Sequence, residues 1–251
     1  MGSIYSWDER RDLIVLQTQE EAITFAAEQW IRVAKRAIQH KGRFYAALSG
    51  GSTPKKIFVK IAADYKNALD WSAVHLFWSD ERCVALDHPD SNYHMAMQSG
   101  LKNLGLSAHQ IHPMYVKGDP ESSATEYEAL LHRILGSEPF DLMMLGVGVD
   151  GHTASLFPHS EALKEEKKRV VANFIAERGV WRITLTYPAI AKSDRIVIYA
   201  LGKEKEAIVP LVLNSAIRSV FPASAIGTSH SKALWVLDSQ AAHLLPVTGP
   251  A

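Results

Sequence analysis

The 251-residue chain has a single cysteine, Cys83, and no excess of either charge, with 27 Lys and Arg against 27 Asp and Glu. One thiol excludes an intrachain disulfide and any cysteine-based metal site. Balanced charge lacks the basic stripe that duplex binding requires, so nucleic acid is not an expected partner. No run approaches the roughly 20 apolar residues that cross a bilayer, so no membrane partner is expected. The start of the chain carries Asp8, Glu9, Arg10, Arg11 and Asp12 rather than an apolar signal core, which makes the reducing cytoplasm the expected address. H-E-x-x-H, G-x-S-x-G and G-x-x-x-x-G-K-[ST] are all missing, which sets aside zincins, nucleophile-elbow hydrolases and NTP-binding P-loops. His109 and His112 have helical spacing but no third ligand, so no metal is expected there.

What is present fits a folded chain: six Trp, eight Tyr and eight Phe can supply a packed core. No repeat or Pro/Gly/Ser linker divides it, and residues 1–251 read as one domain. Short apolar runs read as strands at Asp12–Leu16, Phe44–Leu48, Val74–Trp78, Phe140–Leu145, Arg182–Thr186, Arg195–Leu201 and Ala233–Leu237. Helical patterns lie between them: Glu20–Gln39 behind a Thr18 cap, a helix from Lys55, Ser91–Leu104, Pro120–Leu135 and Lys203–Asn214. Nearly continuous apolar strands alternating with helices predict an α/β, Rossmann-like, mainly parallel sheet with helices on both faces. Such sheets place ligands at the carboxyl ends of their strands.

Three loops stand out there. Ser49-Gly50-Gly51-Ser52-Thr53-Pro54 follows a buried strand and opens a helix. Gly50 and Gly51 permit close backbone approach, Ser52 and Thr53 offer hydroxyls, and the helix start favours an anion, so a phosphate monoester is the expected ligand. Ser79-Asp80-Glu81-Arg82 places three charges after another strand. Arg82 could fork a phosphate and Asp80 or Glu81 could orient a sugar hydroxyl or a base, while an internal ion pair explains the segment equally well. Asp90 or Ser91 reads as a helix cap, Cys83 as a small buried hydrophobe, and Lys164–Arg169 as a solvated loop.

The third loop is Gly146-Val147-Gly148-Val149-Asp150-Gly151-His152-Thr153-Ala154-Ser155-Leu156-Phe157-Pro158. It spells G-x-G-x-x-G, but Pro158 stops any long helix and no acid follows at the next strand end, so a dinucleotide is not expected. Its glycines instead bring Asp150 and His152 close to a small ligand. Imidazole has a reference pKa of about 6.5 and can accept a proton near neutrality, with Asp150 available to fix its tautomer.

In order along the chain, SGGSTP, WSDER with Ser91-Asn92-Tyr93, GVGVDGHTASLFP, RITLT, Phe221-Pro222-Ala223-Ser224 and the ending Trp235-Val236-Leu237-Asp238 with Ala241-Ala242 resemble the 6-phosphogluconolactonase family. The resemblance implies the fold shared by glucosamine-6-phosphate deaminase and ribose-5-phosphate isomerase. It implies hydrolysis of a sugar-phosphate lactone without metal or cofactor, with oligomeric state left open. Carried over, it implies that Ser52, Thr53, Arg82 and Lys203 hold the phosphate and that His152 is the general base. Asp80 and Asp150 would orient groups, and amides of the glycine loop would receive the oxyanion. Two departures stand out: Ala85 replaces a proline usual after Asp-Glu-Arg, and Glu177-Arg178-Gly179-Val180-Trp181 replaces a proline-rich approach to RITLT. The rivals are a deaminase or isomerase of the same fold, and a non-catalytic sugar-phosphate sensor. The deaminases carry a further acid where this chain has Leu156-Phe157-Pro158, and a sensor has no use for His152.

Overall fold

The structure, a computed structural model, describes residues 2–116 and 118–246. In chain order the elements are β1 (Tyr5–Ser6), β2 (Arg11–Leu16), α1 (Gln19–Lys41), β3 (Phe44–Leu48), α2 (Ser52–Asp64), β4 (Val74–Trp78), β5 (Asp80–Arg82), α3 (Asn92–Gln98) and α4 (Pro120–Leu135). There follow β6 (Leu142–Gly146), β7 (Val170–Ile175), β8 (Val180–Leu185), α5 (Tyr187–Ala191), β9 (Ile196–Ala200), α6 (Ile208–Asn214) and β10 (Ala233–Asp238). Seven strands form one sheet in the order β1-β2-β10-β9-β6-β3-β4, parallel throughout except for β1. Every residue of β3, β9 and β10 is buried, which requires cover on both faces of the sheet. Trp78, Trp235, Phe44, Phe58 and Phe77 are the largest of the fully buried side chains in that core.

Helix α1 shows why the sequence folds as it does. Thr18 accepts from the Glu21 amide at the start, and Gly42 takes the left-handed conformation (φ 73°) at the end. Between them Ala22, Ala26, Trp30, Ala34 and Ala37 recur at helical spacing and are buried.

Several expected boundaries move. Helix α2 begins at Ser52 rather than Lys55, so Ser52 and Thr53 sit in its first turn. The Ser91–Leu104 pattern stops at Gln98, because Gly100 adopts a left-handed φ of 106°. The Lys203–Asn214 pattern splits into a 3-10 turn, Lys203–Lys205, and α6. The largest difference is a second, antiparallel sheet, β5-β8-β7. Asp80–Arg82, expected as a loop, is its edge strand β5, and the RITLT segment belongs to it rather than to the parallel sheet. The polar Asp-Glu-Arg trio has no apolar alternation to announce a strand; its pairing with β8 decides the matter.

This topology fixes where a ligand can enter. From β3 the chain moves outward to β4, whereas from β6 it proceeds to β9 and β10 on the other side. The strand order therefore reverses between the neighbours β3 and β6, and the loops leaving their carboxyl ends diverge and open a crevice. Among the described residues no helix is long and apolar enough to cross a membrane.

Candidate active site

The crevice at the β3/β6 switch holds a cleft of about 220 Å³. That is below the roughly 300–1,000 Å³ typical of drug-sized sites, and it suits a small ligand. Its floor and walls come from the β3–α2 loop, strand β5, the β6 loop and the turn after β9.

The β3–α2 side offers backbone. Gly51 precedes the helix with φ 103°, a conformation open to glycine, and no side chain caps it. The first turn of α2 therefore leaves amides without helical acceptors, and the hydroxyls of Ser52 and Thr53 stand beside them on the cleft. Gly50 is required for a different reason: a Cβ there would lie 1.9 Å from Asn92 Oδ1. Asn92 in turn donates from Nδ2 to the Asp80 carbonyl at 2.9 Å and to Asp80 Oδ1 at 3.3 Å.

Strand β5 contributes one residue of each kind. Asp80 is buried, lines the cleft and accepts from Ser155 Oγ at 2.7 Å. Ser155 is held by the small sheet, through Thr184 Oγ1 on its amide and Asn173 Nδ2 on its carbonyl. Glu81 points the other way and caps α3. It accepts from the amides of Asn92 and Tyr93 and from Ser91 Oγ, and burial outweighs those bonds to raise its carboxyl. Ser91 is the α3 cap, accepting from the His94 amide at 3.1 Å. Arg82 lines the cleft, with Nη1 donating to the Asp90 carbonyl at 2.6 Å and a buried Nε that has no hydrogen-bond partner among the described residues. A guanidinium held on one side and unsatisfied on another is prepared for an anion.

Lys203 is not brought to this cleft. Its Nζ pairs with Glu206 Oε1 at 2.6 Å and its side chain is 68% exposed. Lys205, two residues further, lines the cleft instead. Residues two apart in such a turn project in different directions, so the two lysines do not share the cleft. Asn92, Lys205 and Tyr199 are the lining residues that the loop motifs did not single out; burial raises the Tyr199 phenol.

The β6 loop supplies side-chain chemistry. No helix opens within residues 146–158. The loop closes on itself, with Gly148 N donating to the His152 carbonyl at 2.8 Å and Gly151 N to the Gly148 carbonyl at 3.0 Å. Those two amides are thereby used within the loop. His152 Nδ1 lies 2.5 Å from Asp150 Oδ1, and its ring stacks on Phe157 at 4.1 Å and 16°. Burial raises the Asp150 carboxyl, but hydrogen bonds and charge from His152 outweigh it and hold it at about 2. An ionised Asp150 accepts the Nδ1 proton, which leaves the Nε2 lone pair of neutral His152 available to a ligand. A Cβ on Gly148 would sit 2.0 Å from His152 Nδ1, so glycine is what lets the dyad form. His152 lines the same cleft as Ser52, Thr53 and Arg82, while Asp150 stands behind it.

A family model described as glucosamine-6-phosphate isomerases/6-phosphogluconolactonase matches residues 17–235. The chain is 36% identical over 239 residues to a 6-phosphogluconolactonase of Chlamydia trachomatis, covering 95% of this chain and 92% of that one. It is 36% identical over 245 residues to a 6-phosphogluconolactonase of Nostoc sp., covering 95% and 100%. Among solved structures, the 6-phosphogluconolactonase from Trypanosoma cruzi superimposes with a TM-score of 0.84 at 27% identity, covering 96% and 98% of the two chains. The chain belongs to the glucosamine-6-phosphate isomerase/6-phosphogluconolactonase family.

Proposed function

We propose that this chain hydrolyses 6-phospho-D-glucono-1,5-lactone to 6-phospho-D-gluconate, the second step of the oxidative pentose phosphate pathway, in the cytoplasm. The observation that carries the reading is that a carboxylate-held imidazole and an uncapped helix start line one small cleft. The phosphate sits at the first turn of α2, against Ser52 and Thr53, with Arg82 and Lys205 as its cations. Lys205 takes the role first expected of Lys203. Binding energy from this remote dianion positions the lactone carbonyl over His152.

His152 Nε2 takes a proton from water as the oxygen attacks C1, and Asp150 steadies the imidazolium that forms. Collapse of the tetrahedral intermediate breaks the bond to the ring oxygen, which takes the proton back from His152. Base assistance of this kind is worth about 10²–10⁴-fold. Asp80, anchored by Ser155 and Asn92, faces the cleft as an acceptor for a sugar hydroxyl. The isomerase alternative lacks a group: Leu156 and Phe157 are buried and Phe157 lies flat against His152, so this position offers no carboxylate for a proton shuttle.

The test is a rapid assay on freshly generated lactone with spontaneous hydrolysis subtracted, run beside ammonia release from glucosamine 6-phosphate. Lactone turnover that vanishes in His152→Asn, with no ammonia release, supports the reading. Ammonia release, or binding of 6-phosphogluconate without lactone turnover, overturns it.

A further inference from the structure

The segment Glu177-Arg178-Gly179-Val180-Trp181 completes the turn after β7 and opens β8. It ends a 3-10 turn on Gly179, whose φ of 62° reverses the chain into β8. That turn delivers Arg178 to the rear of the dyad. Its guanidinium carbon lies 4.8 Å from the centre of the Phe157 ring, the same ring on which His152 stacks at 4.1 Å. Its Nη2 is 3.7 Å from Asp150 Oδ2, while Asp150 Oδ1 holds His152 Nδ1. One arginine thus touches both supports of the imidazole, the aromatic plate under it and the free oxygen of its carboxylate. It is not among the residues that line the cleft.

We infer that Arg178 is a positioning residue for the general base: it fixes the Asp150 carboxylate from behind and sets how readily His152 takes up a proton. The inference rests on the proposed role of His152.

The electrostatic sense follows from the neighbours. Among the described residues, the charged groups that line the cleft with the imidazole or pair behind it are Asp150 on its own loop, Asp80 and Arg82 on β5, Lys205 after β9, and Arg178. Arg182 on β8 lies behind them, within the field of Arg82 and Arg178. Asp150 is the one carboxylate in contact with the ring among the described residues. A cation on its far oxygen offsets part of its charge and opposes protonation of His152. Half of the Arg178 side chain is exposed, so solvent screens this effect and keeps it modest. Loss of the guanidinium should therefore favour the imidazolium and move the acid limb of activity to higher pH.

The experiment compares wild type, Arg178→Gln, Arg178→Lys and the distant surface control Lys164→Gln. It uses two readouts, the pH profile of kcat/KM on the lactone and an NMR titration of the His152 ring without substrate. Arg178→Gln should raise both midpoints by about 0.5–1 pH unit. Arg178→Lys, which keeps the charge, should restore most of the shift, and Lys164→Gln should show none. Unmoved midpoints in Arg178→Gln overturn the inference, even if its melting temperature or its rate falls equally at every pH. The NMR arm separates the two readings. A shifted His152 titration in a protein without lactonase activity supports the Arg178 contact and rejects the proposed reaction. Lactonase activity that is lost in His152→Asn but has the same pH profile in Arg178→Gln does the reverse.

Discussion

The two ends of the cleft are built on opposite plans. At the β3–α2 end the proposed binding groups are backbone amides and short hydroxyls at a helix start, supplemented by Arg82 and Lys205. At the β6 end one imidazole is held by one carboxylate and one aromatic plate. The first plan spreads its work over many donors, most of which no substitution removes. The second concentrates it on a single atom, Nε2 of His152. Damage to the β6 loop should therefore abolish turnover, while damage to the anion end should weaken binding by steps.

The largest effect is expected from His152→Asn, with kcat reduced about 10²–10⁴-fold and KM nearly unchanged. A KM rise with intact kcat would instead place His152 among the binding groups. Next comes Gly148→Ala, whose methyl would meet His152 Nδ1 at 2.0 Å and must displace the ring. A loss of about 100-fold in kcat is expected from a misplacement near 1 Å. Wild-type rates would show that the loop yields without cost.

Arg82→Gln and Lys205→Gln should each raise KM about 10-fold or more, as expected for a charge-assisted hydrogen bond to phosphate, and leave kcat little changed. Lys203→Gln should do neither, and that contrast tests the exchange of the two lysines directly. Ser52→Ala should cost about 10-fold or less in kcat/KM, because the helix amides remain.

The pH profile sharpens the same contrast. The Asp150 carboxyl is depressed to about 2 from its ordinary 3.8, so its charged form is present above about pH 4 and is lost only as pH falls through about 2. Above about pH 4 Asp150 should therefore add no step to the acid limb of kcat/KM, whose slope should not exceed one. A slope of two would mean that Asp150 protonates in the same range.

Much of this was legible in the sequence. The apolar runs of β3, β4, β6, β9 and β10 place the parallel sheet, because a strand covered on both faces must be apolar throughout. The glycine pairs and the Asp150–His152 spacing mark both ends of the cleft. The small sheet was not legible, since β5 is the polar trio Asp80-Glu81-Arg82 and is stabilised by pairing with β8 rather than by its own pattern. Lys205 was hidden by its neighbour: nothing in the pattern Lys203-Glu204-Lys205 says which lysine the turn aims at the cleft. Asn92 was hidden behind its helix-start position, where a capping motif gave no sign that its amide would brace Asp80.

The most direct measurement is the structure of His152→Asn with 6-phosphogluconate bound. The phosphate should lie at the first turn of α2 within reach of Arg82 and Lys205, and C1 should lie within hydrogen-bonding distance of residue 152. A phosphate seated elsewhere, or a sugar chain running away from the β6 loop, would contradict the shared cleft on which the proposed reaction depends.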